Sequence, residues 1–78
     1  MTTAELVAEK AETLVQSGTG TDQAVAEILD LTGTKRVSVV VARQHFQERL
    51  EENAEDGVAT RAVELLDATL ERGEWTME

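Results

Sequence analysis

Residues 34–47 read TKRVSVVVARQHFQ, with four valines in five positions directly after the only Lys-Arg pair of the chain. Whether this run is a strand or a helix decides the fold. As a strand over 35–41, it would point Val37, Val39 and Val41 to one face and Arg36, Ser38 and Val40 to the other. As a helix over 35–54, it places Val40 and Val41 within about 60° of Val37, while Val39, Ala42, Phe46, Leu50 and Ala54 gather at about 140° to 260°. Such a helix is apolar on two opposite sides, as suits a central element held between neighbours. Intrinsic preference leans toward the strand, because each β-branched valine disfavours helix by up to about 0.7 kcal/mol relative to alanine. Four of them total under roughly 3 kcal/mol, which tertiary packing can override.

Outward from this run, turn chemistry divides the chain at SGTGT (17–21), TGT (32–34) and EDG (55–57). Before it, Leu6, Val7, Ala11, Leu14 and Val15 recur at three- and four-residue steps opposite Glu5, Glu9 and Glu12, which predicts an amphipathic helix over 3–16. Thr2 or Thr3 can cap that helix, and Gly18 sits just past its end. A short second helix is expected from a Thr21 N-cap through Val25, Ala26, Ile28 and Leu29 to Leu31, with Asp22 in its first turn. After the valine run, Ala59, Ala62, Val63, Leu65, Leu66 and Leu70 give a wide apolar face to a helix over 58–72, with Gly73 at the C′ position. The expected core contains Leu14, Ile28, Leu29, Phe46, Leu50, Val63 and Leu66.

Composition bounds the rest. A chain of 78 residues with 41% hydrophobic content makes one small domain spanning 1–78, with a modest core that makes dimerisation a reasonable expectation. Absence of cysteine excludes disulfides and thiolate metal sites and suits a cytoplasmic location. The start MTTAELVAEK lacks the pattern of a signal peptide, and no stretch approaches the roughly 18 apolar residues of a membrane span. Phe46 and Trp75 are the only aromatics, too few for the stacking platforms of single-strand binders. The net charge is −9 and its distribution is uneven. Residues 1–32 set Lys10 against six acids and residues 50–78 set Arg61 and Arg72 against nine; residues 33–49 alone are positive, with Lys35, Arg36, Arg43 and Arg49 against Glu48. An acidic, lysine-poor surface is also what adaptation to high salt produces.

The segment TDQAVAEILDLTGTKRVSVVVARQHF (21–46) resembles a helix-turn-helix unit of bacterial and archaeal regulators. Val25, Ala26, Ile28 and Leu29 match the first helix of such units, Leu31-Thr32 the apolar-then-hydroxyl turn, and Val37 and Val41 the inward positions of the recognition helix. Asp30 stands where the family usually has glycine. The resemblance implies an all-α, four-helix domain that acts as a dimeric DNA-binding transcriptional regulator. Lys35, Arg36 and Arg43 would then meet phosphates, with Ser38 or Gln44 near bases. Residues 35–72 also resemble a ribbon-helix-helix protein with an N-terminal helical extension, in which paired strands would read bases through Arg36 and Ser38.

A second class of function is open: a non-enzymatic interaction module, of antitoxin or adaptor type, that uses acidic helical faces to bind a protein. Catalysis is not expected, because no spacing joins the single histidine, His45, to a nucleophile. Glu48, Glu51, Glu52 and Glu55 stand at helical spacing and read as a solvated acidic face rather than a metal cage. No cofactor is implied. Trp75, two residues past Gly73, is expected to fold back over Leu66 or Leu70, or alternatively to anchor an interface.

Overall fold

The computed structural model describes residues 2–75. Four helices follow one another: α1 (Thr3–Gln16), α2 (Thr21–Thr32), α3 (Arg36–Glu52) and α4 (Gly57–Arg72). The valine run is helical, so the ribbon reading is overturned, and the domain is all-α among the described residues. The reason is visible in α3: Val39, Ala42 and Phe46 are buried on one side, and burying large apolar side chains, at about 1.5–3 kcal/mol each, outweighs the small helix penalty of the valines.

Local chemistry sets most ends. The Thr2 hydroxyl accepts the Glu5 amide at 3.2 Å to cap α1. At the other end, Gly18 takes φ 70°, its amide donates to the Val15 carbonyl, and the Thr19 amide donates to the Leu14 carbonyl. That paired closure needs a left-handed residue, which glycine adopts without penalty. The expected Thr21 cap of α2 is displaced by one residue: Gly20 is the N-cap, without a side-chain bond, and Thr21 is the first helical residue. Asp56 caps α4 through the Ala59 amide at 3.0 Å. Gly73 closes α4 with an ordinary negative φ of −74°, so the C′ role expected of it is not used.

The four helices share one core. Phe46, Ile28, Leu65, Leu66, Val7 and Val39 are fully buried within it, and Ala11, Ala24, Ala42, Ala59 and Ala62 let the helices approach closely. Leu50 and Val63 pack at its edge, half-buried, and Leu29 is half-buried too. Going round the bundle the order is α1, α2, α4, α3; α1 and α4 also meet across the middle, whereas α2 and α3, consecutive in sequence, touch little. No described helix is long and apolar enough to cross a membrane.

Candidate interaction surfaces

Each side of this four-cornered arrangement is bridged by an ion pair. Lys10 meets Glu27 between α1 and α2 at 3.1 Å, and Arg72 meets Asp22 between α4 and α2 at 2.6 Å. Arg43 pairs with Asp67 between α3 and α4. Arg49 reaches both Glu12 on α1, at 3.3 Å, and Asp56, at 3.0 Å, and its guanidinium also stacks 5.4 Å from the Phe46 ring centre. Arg61 holds Glu64 at 3.1 Å and the Thr21 hydroxyl at 2.7 Å. These pairs are partly solvated, so each stabilises by about 0–1 kcal/mol. Their larger effect is on what remains at the surface.

Of the seven basic residues, five are committed to carboxylates within the protomer. Lys35 and Arg36 are left, both exposed and both at the amino end of α3. Among the described residues, Glu5, Glu9, Asp30, Glu48, Glu51, Glu52, Glu55, Glu71 and Glu74 have no basic partner. The outward electrostatics are therefore those of a strongly acidic body with one basic tip. The Asp56 carboxyl is held below its ordinary value first by the Ala59 amide, an effect that desolvation opposes and that the hydrogen bond and charge of Arg49 reinforce.

The residues expected to meet DNA differ in their surroundings. Lys35, Arg36 and Gln44 are exposed. Arg43 is half-buried and engaged by Asp67. Ser38 is buried, and its hydroxyl donates to the Lys35 carbonyl at 2.7 Å. Trp75 lies half-buried against the core, its indole N–H donating to the Leu70 carbonyl at 3.0 Å. His45 is exposed and sets its ring edge-on to Phe46, 5.2 Å between centres. Among the described residues no group of three carboxylates or imidazoles converges to hold a metal ion.

Two shallow grooves flank α1, with Glu9 on the ridge between them. Between α1 and α2, a groove of about 600 Å³ runs along Leu6, Glu9, Lys10, Thr13, Gln16 and Leu31 and continues past Glu27 and Asp30. Leu6 and Leu31 are 39% and 37% exposed. Between α1 and α3, a second groove of about 440 Å³ has Ala4, Ala8, Val41 and Ala42 in its lining, with Glu5, Glu9 and His45 beside them. Sequence reasoning placed Leu6 in the apolar face of α1; at that face's margin it is left to the solvent. Comparison with protein-family models, with curated proteins and with solved structures finds no match.

Proposed function

We propose that this chain is a non-enzymatic protein-interaction module whose α1/α2 face receives a cationic, amphipathic segment of a partner. The observation that carries this reading is the ion-pair inventory: internal pairing consumes most of the cations and leaves the exposed surface to carboxylates. Such a surface repels nucleic-acid phosphates and attracts Lys/Arg-rich peptides. The α1/α2 groove adds the apolar component, since Leu6 and Leu31 lie open beside Glu9, Glu27 and Asp30. A helix with aliphatic residues at i, i+3, i+4 and i+7 and lysines elsewhere presents the complementary pattern.

The test uses a synthetic peptide of that pattern and a counterpart with its leucines changed to serine, each titrated into the labelled protein by NMR. The leucine peptide is expected to perturb the amides around Leu6, Glu9 and Leu31, and Leu6→Ser with Leu31→Ser is expected to weaken it by about tenfold or more. Equal binding of the serine peptide would reduce the interaction to bulk charge and overturn the reading.

One observation favours a second reading, that of a DNA-binding regulator: Lys35 and Arg36, the two uncommitted cations, sit together at a helix amino end, where phosphate is electrostatically welcome. On that reading Lys35→Ala with Arg36→Ala lowers duplex affinity evenly across sequences and reduces the log-log salt slope by roughly 0.9 per lost contact. No retention of wild type on duplex at low salt would exclude it.

A further inference from the structure

Among the described residues, four carboxylates and a single cation line the α1/α2 groove: Glu9, Glu12, Glu27 and Asp30 against Lys10. Glu12 is taken by Arg49, which reaches it from α3, and Glu9 and Asp30 have no basic partner. Glu27 alone is neutralised by a group of the groove itself, the Lys10 ammonium 3.1 Å away. None of the four arginines that form the other internal ion pairs lines either groove.

Position sets this pair apart from the others. Lys10 and Leu31 line both parts of the groove, the wider part of about 600 Å³ beside Leu6 and the narrower part of about 380 Å³ beside Asp30. The Lys10 side chain, drawn across from α1 to Glu27 on α2, is therefore the partition between them. Lys10 stands one turn from Leu6, and Glu27 one turn from Leu31, so the seated ammonium lies about 6 Å along the helices from the two open leucines. Chemistry adds to position. The other ion pairs use arginine, a planar fork, whereas a lysine ammonium is a point charge on a flexible stem that another cation can replace. The second Glu27 oxygen accepts the Gln23 side-chain amide at 3.4 Å, which helps hold the carboxylate in place when Lys10 leaves.

Resting on the docking proposed for this groove, we infer that Glu27 is its cation-receiving residue and that Lys10 is an internal stand-in, displaced when a lysine or arginine of the partner docks. The ammonium already seated on Glu27 shows the chemistry that the position accepts. Two consequences follow for the partner. It carries a basic residue one turn from the aliphatic residue that covers Leu6 and Leu31, and that basic residue meets Glu27 with the exposed Asp30 beside it. The free protein is also self-blocked: its two recesses join into one groove only when Lys10 swings away, so a segment binds only if its cation outcompetes an ammonium tethered to the site.

The experiment repeats the titration of the leucine peptide with Lys10→Ala, which removes the stand-in, and with Arg43→Ala as a matched control. Arg43→Ala removes the same charge and frees a carboxylate, Asp67, between two helices outside the groove. Circular dichroism checks that each variant is folded. Lys10→Ala is expected to bind the peptide about three- to tenfold more tightly than wild type, because a competing ion pair is lost and a like charge leaves the binding position. Arg43→Ala is expected to gain less than about twofold, since salt screens a charge that lies away from the contact. In a Glu27→Gln background the gain from Lys10→Ala is expected to fall to the level of that control, the signature of two residues acting on one site. Equal gains from Lys10→Ala and Arg43→Ala, no gain from Lys10→Ala, or an undiminished gain in the Glu27→Gln background would each overturn the inference while wild-type binding leaves the docking proposal standing. A peptide that perturbs the groove of neither wild type nor Lys10→Ala overturns both. Binding by Lys10→Ala but not by wild type would support the inference, with the stand-in as a complete block.

Discussion

α3 and α4 are the two longest helices and pack most extensively on each other, yet they are built on different principles. α4 has an aspartate cap, a single continuous buried face over Ala59, Ala62, Leu65, Leu66 and Thr69, and Arg72 in its last turn. α3 has no cap bond, valines on opposite sides and charged ends that its own dipole disfavours. Both bury one complete face. α3 is thus held by its buried face and by the ion pairs of Arg43 and Arg49, without help from a cap or from favourable charge at its own ends.

The largest effects should fall on what the two helices share. Phe46→Ala in α3 is expected to cost about 3–5 kcal/mol and Leu66→Ala in α4 about 2–5 kcal/mol, measured by urea denaturation. Either loss consumes much of the stability of so small a domain. A Phe46→Ala variant as stable as wild type would break the comparison, by showing that α3 is not anchored through its inner face.

The next effects separate the amino ends. Lys35→Asp gives α3 the cap it lacks, at a backbone φ of −91° and ψ of 86° close to that of the Asp56 cap, and is expected to stabilise the protein by about 0.5–2 kcal/mol. Destabilisation in dilute solution would refute this account of the α3 end. Asp56→Ala should act in the opposite direction and lower the melting temperature. Because folding lowers the Asp56 pKa from 3.8, its contribution is fully present above that value and is lost as pH falls through the depressed folded value. The gap in melting temperature between wild type and Asp56→Ala should therefore be constant near neutrality and close in acid; a gap that widened in acid would contradict the sign. The smallest effect is expected for Val37→Lys, within about 0.5 kcal/mol in dilute solution, and a larger loss would mean that this residue is covered within the protomer.

Much of this architecture was legible because it is local. The three- and four-residue steps of Leu6 to Val15 and of Ala59 to Leu70, together with Gly18, located α1 and α4 to within a residue or so. The valine run was ambiguous for a physical reason. Strand alternation and a two-sided helix both satisfy Val37, Val39 and Val41, and only the burial of Ala42 and Phe46 against neighbouring helices separates them. The same two-sidedness obscured Ser38, which sits between the stripes and is turned inward. Least legible was the commitment of Arg43 and Arg49, whose partners Asp67 and Glu12 lie 24 and 37 residues away. Local charge counting makes the 33–49 segment basic, whereas tertiary pairing leaves only its first two cations available. Exposed Leu6 and Leu31 follow from how far each helix is rotated about its axis, which periodicity alone does not specify.

The placement of Trp75 makes it an optical reporter with a known address. The chain has one tryptophan and no tyrosine, so its intrinsic emission comes from an indole lodged beyond the end of α4 rather than from the middle of the bundle. A β-carbon at Gly73 would collide with that ring, although the backbone there accepts any residue. Gly73→Ala should therefore shift the emission to the red while leaving the helical signal near its wild-type amplitude. Fluorescence and circular dichroism would then follow two different events in the same molecule: the seating of its last turn and the melting of its helices.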